Sequence, residues 1–150
     1  MHFTFFFLIF VSLASFILSR RCTENVPLFQ RVFLSDIIFT GTVQKIYRKS
    51  PNLSTVQEYN AMVLVKRVLK GTRDLQNQNV VVGGLGNRSI CESDTNERDT
   101  RIFLLVNTES GYLKLNSSLL RMNIHNLESI DATVNGKYLL QDPKFKYMQI

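Results

Sequence analysis

Residues Asp36 to Arg48 read DIIFTGTVQKIYR. The run is rich in β-branched and aromatic side chains, which fit a pleated, half-buried surface, so it predicts a strand. Gly41 lies inside it. A glycine within a strand pattern marks a bulge or sharp bend, and a small barrel needs such bends at its corners. That one residue turns the reading from an open sheet towards a closed one.

The flanks follow the same logic. Upstream, Glu24 to Ser35 (ENVPLFQRVFLS) spaces Leu28 and Val32 as a short helix would, entering the first strand. Downstream, Lys49 to Thr55 (KSPNLST) is a loop by composition. Tyr59 to Leu69 (YNAMVLVKRVL) predicts a second strand, closed by Lys70-Gly71. Asn79 to Gly83 predicts a third, running into Gly83-Gly84-Leu85-Gly86, where positive φ costs little. Asn87 to Asp99 is polar and loop-like. Thr100 to Asn107 (TRIFLLVN) has the clearest strand pattern, and Tyr112 to Met122, around LKLNSSLLRM, predicts a fifth strand.

The tail changes character. From Asn126, a good N-cap residue, Leu127, Ile130, Val134 and Tyr138 fall within about 80° at 100° per residue, a narrow apolar stripe on a helix. Gly136 weakens that helix by about 1 kcal/mol, and Pro143 ends it. The expected architecture is an all-β core with flanking helices. Its leading form is a five-stranded Greek-key barrel of the OB type, with a short N-terminal helix and a C-terminal helix.

Composition narrows the function. The 150 residues are 45% hydrophobic and 11% aromatic with a net charge of +6, which suits one folded domain plus a targeting segment. Two His and two Cys are too few for most closed metal sites. Outside the first nineteen residues the only His is His125, and a Ser-His-acid constellation would have to converge on it. The Gly83–Gly86 run lacks the Lys-Ser/Thr that completes a phosphate loop. The expectation is therefore no enzyme, no catalytic residues, no metal and no cofactor.

Residues Phe3 to Leu18 (FTFFFLIFVSLASFIL) carry no charge and precede Ser19, Arg20 and Arg21. They predict a signal peptide over residues 1–19, cleaved after Ser19 or after Ala14, and a mature domain over residues 20–150. An uncleaved anchor is the rival reading. The run is short of the roughly 20 apolar residues of a bilayer span, and after cleavage no stable membrane insertion is expected. Export makes a disulfide the simplest reading of Cys22 and Cys91, with two buried free thiols as the alternative. A loop of that length is worth roughly 4 kcal/mol in the chain-entropy model. Asn52, Asn87 and Asn116 head three N-x-S/T sequons and are candidate glycosylation sites. Lys66, Arg67, Lys70 and Arg73 lie close together and could meet heparan sulfate, or form a solvated strand end. Export argues against nucleic acid as a partner.

Several blocks, in order, carry a resemblance: Thr40-Gly41-Thr42-Val43, Val68-Leu69-Lys70-Gly71, Val81-Val82-Gly83-Gly84-Leu85-Gly86 with Cys91 after it, Asp99-Thr100-Arg101-Ile102-Phe103, Leu115-Asn116-Ser117-Ser118-Leu119 and Asn126-Leu127-Glu128. Together they are similar to the amino-terminal (NtA) domain of agrin, over roughly residues 22 to 140. The resemblance implies an OB-type barrel in a secreted protein of the extracellular matrix and basement membrane. It also implies binding to the coiled-coil arm of laminin, chiefly its γ chain. The family's binding Leu and Val, seven positions apart, align with Leu127 and Val134; Ile130 between them is expected to support the contact. The family's second cysteine pair is replaced here by Ala61 and Thr133. None of agrin's other modules appears within these residues, so the expectation is a laminin-binding adaptor, with any link to receptor clustering left open. An alternative of another class is a metalloproteinase-inhibitor-like OB module, which would require a free α-amino group on Cys22. A second bland reading also stands: the apolar stripe packs on its own barrel.

Overall fold

A computed structural model of the chain describes residues 24–48 and 58–136. Residues 1–19, Cys22, Asn52, Tyr138 and Pro143 lie outside the described residues.

The element order is α1 (Leu28–Leu34), β1 (Ile37–Tyr47), β2 (Tyr59–Lys70), a 3-10 turn (Arg73–Leu75), β3 (Asn79–Leu85), β4 (Thr100–Asn107), β5 (Leu113–Leu115), β6 (Leu120–Arg121) and α2 (Ile124–Val134). The strands run β1-β2-β3-β5-β4-β6, and β1 also pairs with β4, which closes a five-strand ring with two helices against it. All pairs are antiparallel except β3 with β5. The OB-type expectation holds.

β1 makes the closure possible. Residues Ile37 to Thr42 pair with β4 while Ile38 to Tyr47 pair with β2, and the β2 register slips at Ile38/Phe39, Thr40/Gly41 and Val43/Lys45. A Cβ on Gly41 would stand 2.5 Å from Val63 Cγ1 and 3.2 Å from the Leu64 carbonyl oxygen. The bend therefore needs glycine for closeness, not for an unusual φ.

Alternation along the strands builds two cores. Phe39, Val43, Val63, Val65, Val82, Phe103, Leu105 and Leu115 fill the barrel, with the Phe39 and Phe103 rings 5.4 Å apart. Ile38, Ile102 and Leu104 point the other way and meet Val32 of α1 and Ile130 of α2. This is why TRIFLLVN reads as a near-continuous apolar run: β4 is buried on both faces.

Two expectations are corrected. The fifth strand over Tyr112–Met122 is two short strands, because Ser117 and Ser118 turn the chain inward and are 5% and 4% exposed. The helix expected over Glu24–Ser35 starts only at Leu28, after Pro27 fixes its entry.

Candidate functional site

The candidate site is α2, which lies on the outer face of the barrel. Asn123, not Asn126, is its N-cap: the Asn123 backbone is extended, and its side-chain Oδ1 accepts the Asn126 N–H at 2.8 Å. Asn126 instead donates through Nδ2 to the Arg121 carbonyl at 2.9 Å. The helix ends at Val134. Gly136 has φ 73° and donates its N–H to the Thr133 carbonyl at 3.1 Å, so it stops the helix from outside it.

This placement splits the apolar stripe. Ile130 is fully buried among Val32, Ile38, Ile102 and Leu104. It is the anchor of α2: the barrel's outer wall, not the free surface, takes the side chain that was expected to support a partner contact. Leu127 is half-buried at the edge of the same cluster, and Val134 is 38% exposed. Ile124, which the later helix start concealed, is 74% exposed.

α1 braces α2 through Val32 and Leu28. Its carboxyl end is held by Lys70, whose Nζ donates to the carbonyls of Val32, Phe33 and Ser35. A cation is favourable there because the last carbonyls of a helix carry partial negative charge. Lys70 is thereby withdrawn from the basic cluster; Lys66, Arg67 and Arg73 remain exposed. On the inner side of α1, Arg31 is 7% exposed and faces Glu24 at 3.4 Å. Burial holds its pKa below the ordinary value, with Glu24 and then Glu92 opposing that shift.

Sequence reasoning missed part of the exposed apolar surface. Phe33 and Leu34 on α1 are 76% and 58% exposed, and Val26 and Met122 stand just before the two helices. The signal was available: once Val32 faces the barrel, Phe33 lies about 100° away from it. Exposed apolar side chains clustered around two adjacent helices mark an interaction surface more than a random surface does.

Elsewhere, Asn87 is half-buried in a turn, where its Oδ1 accepts from Ser89 N and Oγ at 2.8 and 2.6 Å and its Nδ2 donates to Glu58 Oε1 at 2.6 Å. Asn116 is half-buried and its Nδ2 donates to the Leu34 carbonyl and Ser35 Oγ, both at 3.4 Å. Cys91 is disulfide-bonded, while Cys22 lies outside the described residues. Ala61 is buried in the barrel core and Thr133 sits on α2. His125 is exposed on α2. A groove of about 620 Å³ at one barrel mouth is lined by Asp36, Ile37, Thr72, Val81, Tyr112 and Leu113 among others. Among the described residues no helix is long and apolar enough to cross a membrane.

The arrangement suits binding: a rigidly seated helix, an apolar flank and two acidic neighbours, Glu128 and Asp131. The family model described as the agrin NtA domain matches residues 30–137.

Proposed function

Because the chain belongs to the agrin NtA domain family, a family of extracellular laminin-binding modules, we propose that it is a secreted matrix adaptor whose α2 grips the coiled-coil arm of laminin. Leu127 and Val134 make the direct contact, and the γ chain is the preferred partner. The observation that carries this reading is the division of labour along α2. Ile130 alone among its residues is fully given to the fold, while Val134 stays 38% exposed and Leu127 half so. An amphipathic helix with spare apolar side chains on a rigid support fits a helix-in-groove mode of recognition.

The remaining parts of the reading are consistent with this. Residues 1–19 direct export, and the Cys22–Cys91 bridge ties the amino-terminal arm to the loop before β4. Glycans on Asn52 and Asn87 keep the rest of the surface soluble. Laminin attachment requires no catalytic step. Heparan sulfate is the weaker candidate, since Lys70 is already engaged in capping α1.

The test is an optical binding assay of the mature protein against laminin coiled-coil fragments, with Leu127→Ala and Val134→Ala as controls. Reduced binding by folded variants supports the site. Undiminished binding by the double variant rejects the site, and no binding by the wild-type protein rejects the function.

A further inference from the structure

The exposed flank of α2 has a repeat of its own. Ile124, Leu127, Asp131 and Val134 follow one another at spacings of three, four and three residues. This is the a-d-a-d order of a coiled-coil seam, and at 100° per residue the four lie within about 80°. The seam is about 15 Å long at 1.5 Å per residue, roughly one and a half heptads. Buried Ile130 lies about 40° beyond its edge, so the seam and the anchor are neighbouring but different faces. Ile124 is 74% exposed, Val134 38%, and Asp131 is exposed. The Asp131 carboxylate enters no ion pair among the described residues. Glu128, also exposed, occupies the flanking e position, and α2 contains no Lys or Arg.

Resting on the laminin reading above, we infer that α2 docks as an additional strand of a coiled coil, and that Asp131 sets its register and partner choice by facing a Lys or Arg of the partner helix. A heptad spacing matches apolar knobs to holes in a partner of the same repeat. It would not match a flat or lipid surface, which selects no register. One polar residue at an a position specifies register at some cost in stability, and here the residue is an acid, so the complement is a base. The neighbouring Glu128 adds charge of the same sign, which favours basic flanks and disfavours acidic ones.

The experiment compares wild type, Asp131→Asn, Asp131→Lys and Ile124→Ser for binding to laminin coiled-coil fragments at low and physiological salt, with thermal unfolding confirming that each variant folds. Both positions tested are on the exposed flank, so unfolding temperatures stay near wild type. Asp131→Lys is expected to lose roughly tenfold or more in affinity, since it sets like charges face to face. Asp131→Asn is expected to lose less and to flatten the salt dependence, and Ile124→Ser to weaken binding at either salt. If the wild type binds while Asp131→Lys binds within about twofold of it with the same salt dependence, the seam is overturned and the laminin reading stands. If the wild type binds no laminin fragment, the laminin reading fails and takes the seam with it.

Discussion

Replacing Ile130 by Ala tests whether α2 is seated in the way described. Ile130 is fully buried, with Val32, Ile38, Ile102 and Leu104 around it and Leu28, Leu69, Leu120 and Leu127 at the margin. Truncating a buried Ile costs about 2–5 kcal/mol, depending on how far the site collapses. Here one wall is rigid sheet and the other is a helix of 11 residues that can settle partway, which places the cost near the middle, about 3 kcal/mol. For a domain of this size that lowers Tm by on the order of 10 °C. Because so short a helix is marginal alone, α2 should also open before the barrel does. Differential scanning fluorimetry gives the first readout and amide exchange over residues 124–134 the second. Val134→Ala, on the exposed flank, is the control and should stay within about 0.5 kcal/mol of wild type. An Ile130→Ala variant with Tm within about 2 °C of wild type and unchanged exchange in α2 would refute the seating.

Three further outcomes are expected. Gly41→Ala forces a methyl against Val63 and the Leu64 carbonyl; overpacking of this kind costs about 1–3 kcal/mol, measurable as a lower urea midpoint with an unchanged slope. Tyr59 donates its hydroxyl to the Thr95 carbonyl at 3.3 Å and accepts the Thr95 N–H at 3.0 Å, and burial raises its pKa above the ordinary 10.0. The folded state then holds the phenolic proton more tightly than the unfolded state, so stability is full below pH 10 and falls as pH rises above it; Tyr59→Phe should be less stable at neutral pH and lose its share of that alkaline slope. Glycopeptide mapping of the secreted protein should find Asn116 bare, because the acceptor-motif residue Ser118 is 4% exposed and Asn116 is tied to α1; a fully occupied Asn116 would contradict the packing of that turn.

What the sequence reveals and what it hides both have physical causes. β4 is legible to the residue, Thr100–Asn107, because burial on both faces produces an apolar run that polar residues bracket. Gly41 pointed to closure for the right reason, a bend, although only coordinates show the contact with Val63 that demands it. The fifth strand misled because Ser117 and Ser118 are buried, so a turn looked like a continuing strand. The phase of α2 was ambiguous at two levels. Asn123 and Asn126 are equally good caps by type, and extended backbone at Asn123 decides between them. Leu127, Ile130 and Val134 are all apolar, so periodicity alone does not say which belongs to the fold and which to a partner. That division comes from the outer faces of β1 and β4, where Ile38, Ile102 and Leu104 take Ile130 and leave Val134 outside.

The most direct measurement is methyl NMR of the mature protein titrated with a laminin coiled-coil fragment. The account predicts that the methyl signals of Ile124, Leu127 and Val134 shift or broaden first, with Ile130 affected less and the barrel interior hardly at all. Perturbation centred on Val81 and Leu113 at the barrel mouth, with the α2 methyls unmoved, would contradict it.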